Sequence, residues 1–295
     1  MRTVLLVNPA AGAGTAGRVS GRVAELLRAV SDELSLHVAL DPGQATGLAA
    51  AAVADGADVV VVLGGDGAAH AAVQACAGTS TALAVVPAGT GNDLGTALGM
   101  PADPIAAAGE VAQGLRIGRR RRIDLGRIAG GSWFATVLCA GFDAAVNARA
   151  NRMRWPRGPR RYDLAVVAEL LRLRPQPLVV DAGTKRIELE ATLVAVGNTR
   201  SYGGGIPICP DADPADELFD VTVVGAVARR TLLSILPTLR SGRHVDRPEV
   251  TTFRARSVRL GGANGWVAYA DGERQARLPL TVRCEPGALT VVDAA

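Results

Sequence analysis

Aromatic residues are scarce in this chain of 295 residues, with 4 Phe, 3 Trp and 3 Tyr. Its basic residues are therefore not interleaved with the stacking platforms that a nucleic-acid-binding surface uses, and no nucleic-acid partner is expected. Cysteine is as sparse: Cys76, Cys139, Cys209 and Cys284 show no paired spacing and no His companion at metal-ligand distance. That excludes a disulfide framework and a zinc site, and leaves reduced, buried thiols in a cytosolic protein as the expectation. Long hydrophobic runs are missing too. None approaches the length needed to cross a bilayer, and the apolar stretch after Met1 is too short for a signal peptide, so the chain is expected to be cytoplasmic with peripheral membrane contact at most.

What is present is an ordinary globular composition, 48% hydrophobic and 20% charged, which excludes disorder. The length suits two compact domains better than one. The formal charge of +4 is modest, but nearly all the positive charge is arginine, and it crowds into Arg116 to Arg122 and Arg149 to Arg161.

The most informative run is Val59-Val-Val-Val-Leu-Gly-Gly-Asp-Gly67. A fully apolar strand of this kind suits the interior of a parallel sheet. It empties into glycines that let a ligand approach bare backbone, and a helix is expected over Ala68 to Ala77, whose positive end favours an anion such as phosphate. Asp66 inside that cradle repels phosphate unless a cation intervenes, which points to Mg²⁺ chemistry. The flanking pattern alternates. Strands are expected at Thr3 to Val7, Leu34 to Leu40, Val59 to Leu63 and Ala82 to Val86, with helices through Val19 to Val30, Gln44 to Asp55 and Ile105 to Gln113. This is an α/β pattern with a parallel sheet covered on both faces, and the glycine-rich loops at Asn8 to Gly17, Gly64 to Gly67 and Pro87 to Asp93 all follow strands, so they face one crevice.

From Ile123 onward the pattern becomes short strands with hairpin punctuation: Ile123 to Ile128, Trp133 to Cys139, Leu178 to Asp181, Glu188 to Val196, Phe219 to Val224, Ser257 to Leu260, Trp266 to Ala270 and Leu278 to Cys284. A mainly antiparallel β-sandwich is expected, interrupted by helices, of which Tyr162 to Leu173 has an apolar face with basic edges.

Gly12-Ala-Gly14-Thr-Ala-Gly17 matches G-x-G-x-x-G, with Asp41 placed as a ribose-binding acid would be, but Asn8-Pro9-Ala-Ala separates the glycines from their strand, unlike a dinucleotide fold. Pro87-Ala-Gly-Thr-Gly-Asn-Asp93 combines a flexible backbone with a hydroxyl, an amide and an acid. It suits both phosphate binding and an N-cap at Asp93.

Taken jointly, Asn8-Pro-Ala-Ala-Gly12, Gly64-Gly-Asp-Gly67, Pro87 to Asp93, Asp124, Gly203-Gly-Gly205 and Asp271-Gly-Glu273 resemble the diacylglycerol kinase catalytic family, which includes bacterial soluble diacylglycerol kinases and the sphingosine and ceramide kinases. The resemblance covers nearly the whole chain. It implies an N-terminal domain like those of 6-phosphofructokinases and NAD kinases (residues 1–122), a C-terminal β-sandwich that takes the lipid acceptor (123–284), and a final segment (285–295) that packs back on the first domain. It implies ATP and Mg²⁺ as cofactors and diacylglycerol as the acceptor. By the same resemblance, Asp271 is the general base. Asn8, Gly12, Gly64, Gly65, Asp66, Gly67, Ala68 and Thr90 bind the nucleotide, and Asp66, Asp93, Asp124 and Glu273 form a water-bridged acidic network around the catalytic Mg²⁺. A second, structural Mg²⁺ position is implied at Asp216 with the carbonyls of Asp213 and Leu218, although Glu217 stands where the family has Gly. Asp271-Gly272 also reads as a type I′ hairpin turn.

Ala68 and His70 depart from the family pattern, as does the Leu40-Asp41 pair. His70 is read either as a phosphate or base contact or as the partner of a neighbouring carbonyl. The basic stretch Arg149 to Arg161, with Met153 and Trp155, suits docking on an anionic leaflet or a plain solvated surface. An NAD kinase and a non-catalytic nucleotide or lipid sensor are the competing readings, and a homodimer is left open.

Overall fold

The computed structural model describes residues 1–153, 160–172, 174–262 and 264–293. Strand and helix alternate through the first half as β1 (Arg2–Val7), α1 (Ala11–Arg28), β2 (Glu33–Val38), α2 (Pro42–Ala54), β3 (Val59–Gly64), α3 (Asp66–Cys76) and β4 (Ala82–Pro87), followed by α4 (Asp93–Ala97) and α5 (Pro104–Ile117). The four strands pair in parallel in the order β2-β1-β3-β4. Every residue of β3 is buried, which is why it reads as an unbroken apolar run. The helices pack in two pairs, α1 with α5 and α2 with α3. Helix starts follow local chemistry. Asp41 caps α2 by accepting from the Gln44 amide at 2.9 Å, Asp103 caps α5 by accepting from that of Ala106 at 2.8 Å, and a proline opens each helix.

The second half contains β5 (Arg120–Ile128), β6 (Trp133–Phe134), β7 (Val137–Gly141), α6 (Phe142–Arg152), α7 (Arg160–Leu171), β8 (Gln176–Asp181), β9 (Arg186–Gly197), β10 (Phe219–Gly225), α8 (Arg229–Leu239), β11 (Val250–Ala255), β12 (Ser257–Gly261), β13 (Val267–Ala270), β14 (Glu273–Arg277) and β15 (Leu280–Val292). These strands pair antiparallel and enclose a sandwich-like core that includes Leu178, Val196, Val258 and Val282. In it Phe134 stacks on Phe219 with centroids 5.6 Å apart. β15 then leaves this core. It runs antiparallel to β5 along most of its length, and at Val291 it pairs in parallel with Leu83 of β4. Among the described residues all fifteen strands form one connected ladder, with β15 as the bridge between the parallel and antiparallel parts.

Several elements differ from the sequence expectation. The strand expected over Trp133 to Cys139 is broken at Ala135 and Thr136, because their backbone amides bond a carboxylate instead of a neighbouring strand. α6, α8, β11 and β14 were not expected. Pro237 in the last turn of α8 masked that helix, and β14 is mostly exposed and lacks apolar alternation. Residues 154–159, which include Trp155 of the basic stretch, lie outside the described residues, as do Ala294 and Ala295. No helix among the described residues is long and apolar enough to cross a membrane.

Candidate active site

The three glycine-rich loops meet at the carboxyl ends of β1, β3 and β4. A β-carbon on Gly12, whose φ is +58°, would lie 2.2 Å from the carbonyl oxygen of Ala88, so only glycine allows the first loop to touch the fourth-strand loop. A β-carbon on Gly89 would stand 2.5 Å from the α-carbon of Gly65. The Asp66 carboxylate ties the same loops together, accepting from the backbone amides of Asn92 at 2.9 Å and Asp93 at 2.6 Å. Asn8 closes the group: its amide donates to the Leu63 carbonyl at 3.1 Å and its side chain accepts from the Ala10 amide. Gly64, Gly67 and Ala68 form the turn into α3, and Thr90 is exposed at the tip of the neighbouring loop.

The acids divide into two groups. Burial raises the pKa of Asp66, against the lowering effect of the Asp93 and Asn92 amides, and the charge of Asp271 raises it further. Burial and then the charge of Asp66 push Asp93 up to about 6, although the Gly204 and Gly205 amides, at 2.9 and 3.0 Å, hold its Oδ1. Those amides converge because Gly203, Gly204 and Gly205 all have positive φ. Glu273 completes this group from the opposite side, its Oε1 3.6 Å from where a Gly67 β-carbon would lie. Asp124 is held differently. It is buried, and its two oxygens accept from the Glu217 and Gly287 amides, each at 2.7 Å, while its own amide donates to the Pro214 carbonyl. It clamps the 213–218 loop and the β15 bulge onto β5.

Asp271 sits at the β13–β14 turn with φ of +50°, followed by Gly272 at +81°, matching the expected hairpin turn. Its carboxylate is fully engaged. Oδ1 accepts from the Thr136 amide at 2.8 Å and the Thr136 hydroxyl at 2.6 Å, and Oδ2 lies 3.0 Å from both the Ala135 amide and Nδ1 of His70. Burial acts to raise its pKa, but His70, Thr136 and Ala135 outweigh it and carry the group below the usual carboxylate value. His70 is thus a site residue, and its partner is this carboxylate across the interface rather than a neighbouring carbonyl. The helical position of His70 gave no signal of a contact 201 residues away. Burial disfavours the imidazolium, but Asp271, with Glu273, leaves the pKa of His70 above its ordinary value.

Beside this turn opens a cavity of about 640 Å³ between α6, α7 and β13–β14. Phe142, Ala145, Ala148 and Trp266 give it an apolar lining, and Arg152 and Arg274 also line it.

The chain carries these features alongside clear relatives. Residues 2–128 match the diacylglycerol kinase catalytic domain, and residues 136–293 match the YegS C-terminal NAD kinase beta sandwich-like domain. A diacylglycerol kinase of Mycobacterium tuberculosis is 45% identical over 99% of this chain and 94% of its own length. The chain belongs to the diacylglycerol kinase family. A protein of Xanthomonas campestris described as "Probable lipid kinase YegS-like" is 31% identical over 88% of the chain and 86% of its own length. The fold is shared with a solved diacylglycerol kinase structure from Bacillus anthracis, with a TM-score of 0.75 at 21% identity over 99% of this chain and 96% of that one.

As a member of this kinase family the chain is a lipid kinase, and kinases of this family use ATP. The Asp66–Asp93 pair fits a cation nearby: burial raises the pKa of both carboxyls, the charge of Asp66 raises that of Asp93 further, and among the described residues neither is paired with an arginine. No three carboxylates, imidazoles or thiols among the described residues gather closely enough to cage an ion directly. The 213–218 loop does not fit a second ion. Asp216 is ion-paired with Arg254 and its Oδ1 accepts from the Leu218 amide, Asp213 accepts from the Ala215 amide, and Glu217, at φ +64°, pairs with Arg256 at 2.6 Å.

Proposed function

We propose that this kinase transfers the γ-phosphate of ATP to the hydroxyl of diacylglycerol, giving phosphatidic acid, with Asp271 as general base. The observation that carries the reading is the meeting of the Asp271 carboxylate with α3, the helix that opens on the Gly64-Gly-Asp-Gly67 loop. The 45% identity to a relative described as a diacylglycerol kinase supports the choice of acceptor.

Phosphoryl transfer asks the protein for position, charge neutralisation and a destination for one proton. Gly64, Gly65, Gly67 and Ala68, with Asn8, Gly12 and Thr90, surround the triphosphate. Asp66, Asp93 and Glu273 would hold Mg²⁺, which would supply charge neutralisation on the phosphates. The acyl part of the acceptor occupies the cavity lined by Phe142, Ala145 and Ala148, which ends at the Gly272–Glu273 side of the turn. The acceptor oxygen forms a bond to the γ-phosphorus as the bond to the ADP oxygen breaks, and its proton passes to Asp271. A carboxylate with a lowered pKa suffices, because in a loose transition state the hydroxyl becomes acidic only as the new bond forms. Arginines at the cavity face the anionic leaflet in which such an acceptor lies.

The test is phosphate transfer from ATP and Mg²⁺ to a panel of dispersed diacylglycerol, sphingosine, ceramide and, without lipid, NAD. Diacylglycerol is expected to be preferred. Asp271→Asn is expected to abolish turnover, and Ala145→Trp to raise KM for lipid but not for ATP. Equal turnover of Asp271→Asn and the natural protein would sink the base assignment, and transfer to NAD alone would sink the acceptor.

A further inference from the structure

The tautomer of the neutral His70 ring can be read from a third residue. Gln74, one turn further along α3, has both ends of its amide gripped by the backbone of Trp133. The Trp133 amide donates to Oε1 at 3.0 Å, and Nε2 donates to the Trp133 carbonyl at 2.8 Å. That two-point grip settles which end of the side chain is nitrogen. The second N–H of the same group is therefore what meets Nε2 of His70 at 3.3 Å. A side-chain NH₂ only donates, so Nε2 accepts, and the single proton of the neutral ring sits on Nδ1, aimed at Oδ2 of Asp271.

We propose that His70 is a positioning residue for Asp271, its Nδ1–H held toward that carboxylate by Gln74 so that proton transfer falls on Oδ1. The inference rests on Asp271 being the base. An ionised carboxylate offers about four lone-pair positions, and all four are taken: Ala135 N–H and His70 N–H on Oδ2, Thr136 N–H and O–H on Oδ1. A substrate hydroxyl must displace one of them. The two backbone amides are fixed by the break between β6 and β7, and the imidazole is fixed by Gln74. The Thr136 hydroxyl alone swings away by rotation about one side-chain bond. The acceptor O–H then takes its place on Oδ1, and the proton moves to that oxygen as the new O–P bond forms. Without His70, Oδ2 has an open position, water competes there, and the carboxylate turns away from its reactive orientation.

The experiment measures kcat and both KM values for Asp271→Asn, His70→Ala, His70→Asn and Gln74→Leu, and records the ring ¹⁵N signals of the histidines. The chain has 3 His, so His70→Ala assigns its own signal. The wild-type ring is expected to carry its proton on Nδ1. His70→Ala is expected to lower kcat by roughly ten- to a hundredfold, the range that one lost hydrogen bond to a charged group gives, with little change in KM for ATP. His70→Asn restores most of that loss, since its amide N–H replaces Nδ1–H. Gln74→Leu moves ring protonation toward Nε2 and lowers kcat by less. An inactive Asp271→Asn alongside a His70→Ala whose kcat is within twofold of wild type overturns the role of His70 alone, as does a wild-type ring protonated on Nε2. An active Asp271→Asn overturns the base assignment, and this inference with it. A His70→Asn as impaired as His70→Ala, with both variants folded, also overturns it, because the donor rather than the ring is what is claimed.

Discussion

Gly91 faces Asp66 so closely that a β-carbon at position 91 would stand 2.3 Å from Oδ2 of the carboxylate. The acid that bridges two loops therefore depends on a neighbour with no side chain. Gly91→Ala must push Asp66 off the Asn92 and Asp93 amides, and Gly91 does not adopt a positive φ, so the effect is steric. Displacing a positioning group by about 1 Å costs on the order of a hundredfold in rate. A kcat loss of about that size is expected with a near-normal melting temperature. Gly109→Ala, in α5 with open space around it, is the control and should gain about 0.5–1 kcal/mol in stability.

Asp143 on α6 sets a pH dependence of stability. It is half-buried beneath the Tyr202 hydroxyl, which donates to its Oδ2, and desolvation, only partly offset by that bond, raises its pKa to about 6. A carboxyl that ionises less readily when folded holds more protons in the folded than in the unfolded state between pH about 4 and 6, so its contribution to stability falls as pH rises through that window and stays lost above it. Asp143→Asn keeps an acceptor for Tyr202 and removes the penalty. It should be more stable than wild type at pH 8, by a ceiling of roughly 3 kcal/mol, and not at pH 4. Urea titrations of both proteins at the two pH values check the sign. An equal difference at both would exclude Asp143 as the source.

Asp124 behaves in this structure as a clamp. Asp124→Asn offers one acceptor where two backbone amides, from Glu217 and Gly287, now donate, and its NH₂ is forced against one of them. Such a buried mismatch costs about 1–3 kcal/mol. Denaturant midpoints should fall accordingly, while the Mg²⁺ concentration for half-maximal activity stays put. A large shift in that Mg²⁺ requirement with unchanged stability would return Asp124 to the acidic network the sequence implied.

The contrast between Asp66 and Asp124 shows what the sequence could carry. The loops around Asp66 are legible because each follows an apolar strand within a few residues, and glycine marks where backbones touch, as Gly12 does on Ala88. Parallel strands buried on both faces announce themselves as β3 does. Asp124 and Asp271 have partners that are mostly backbone amides from distant segments, and a backbone amide leaves no trace in residue type. The break at Ala135 and Thr136 is invisible for the same reason, since the apolar pattern runs straight through the residues whose amides turn toward Asp271. His70 looked like an ordinary helix-face histidine because only the tertiary fold brings the hairpin to α3.

Arg254 stands where the family resemblance implied a structural Mg²⁺. From β11 its Nη2 pairs with Asp216, and its Nε lies 3.3 Å from Asp220, so the one carboxylate expected to bind the ion already has a fixed cation. A guanidinium cannot lose its proton to make room. Mg²⁺ should therefore add nothing to the stability of this loop. The measurement is best made in an Asp66→Asn background, which silences the nucleotide-side acids, by comparing melting temperatures in EDTA and in excess Mg²⁺. No difference is expected until Arg254→Ala is added, when the freed Asp216, with the Asp213 and Leu218 carbonyls, gains the ion. At a hundredfold excess over its Kd, that binding adds about 2.7 kcal/mol. Should Asp66→Asn alone already melt higher with Mg²⁺, the loop binds the metal despite Arg254, and the arginine is a bystander.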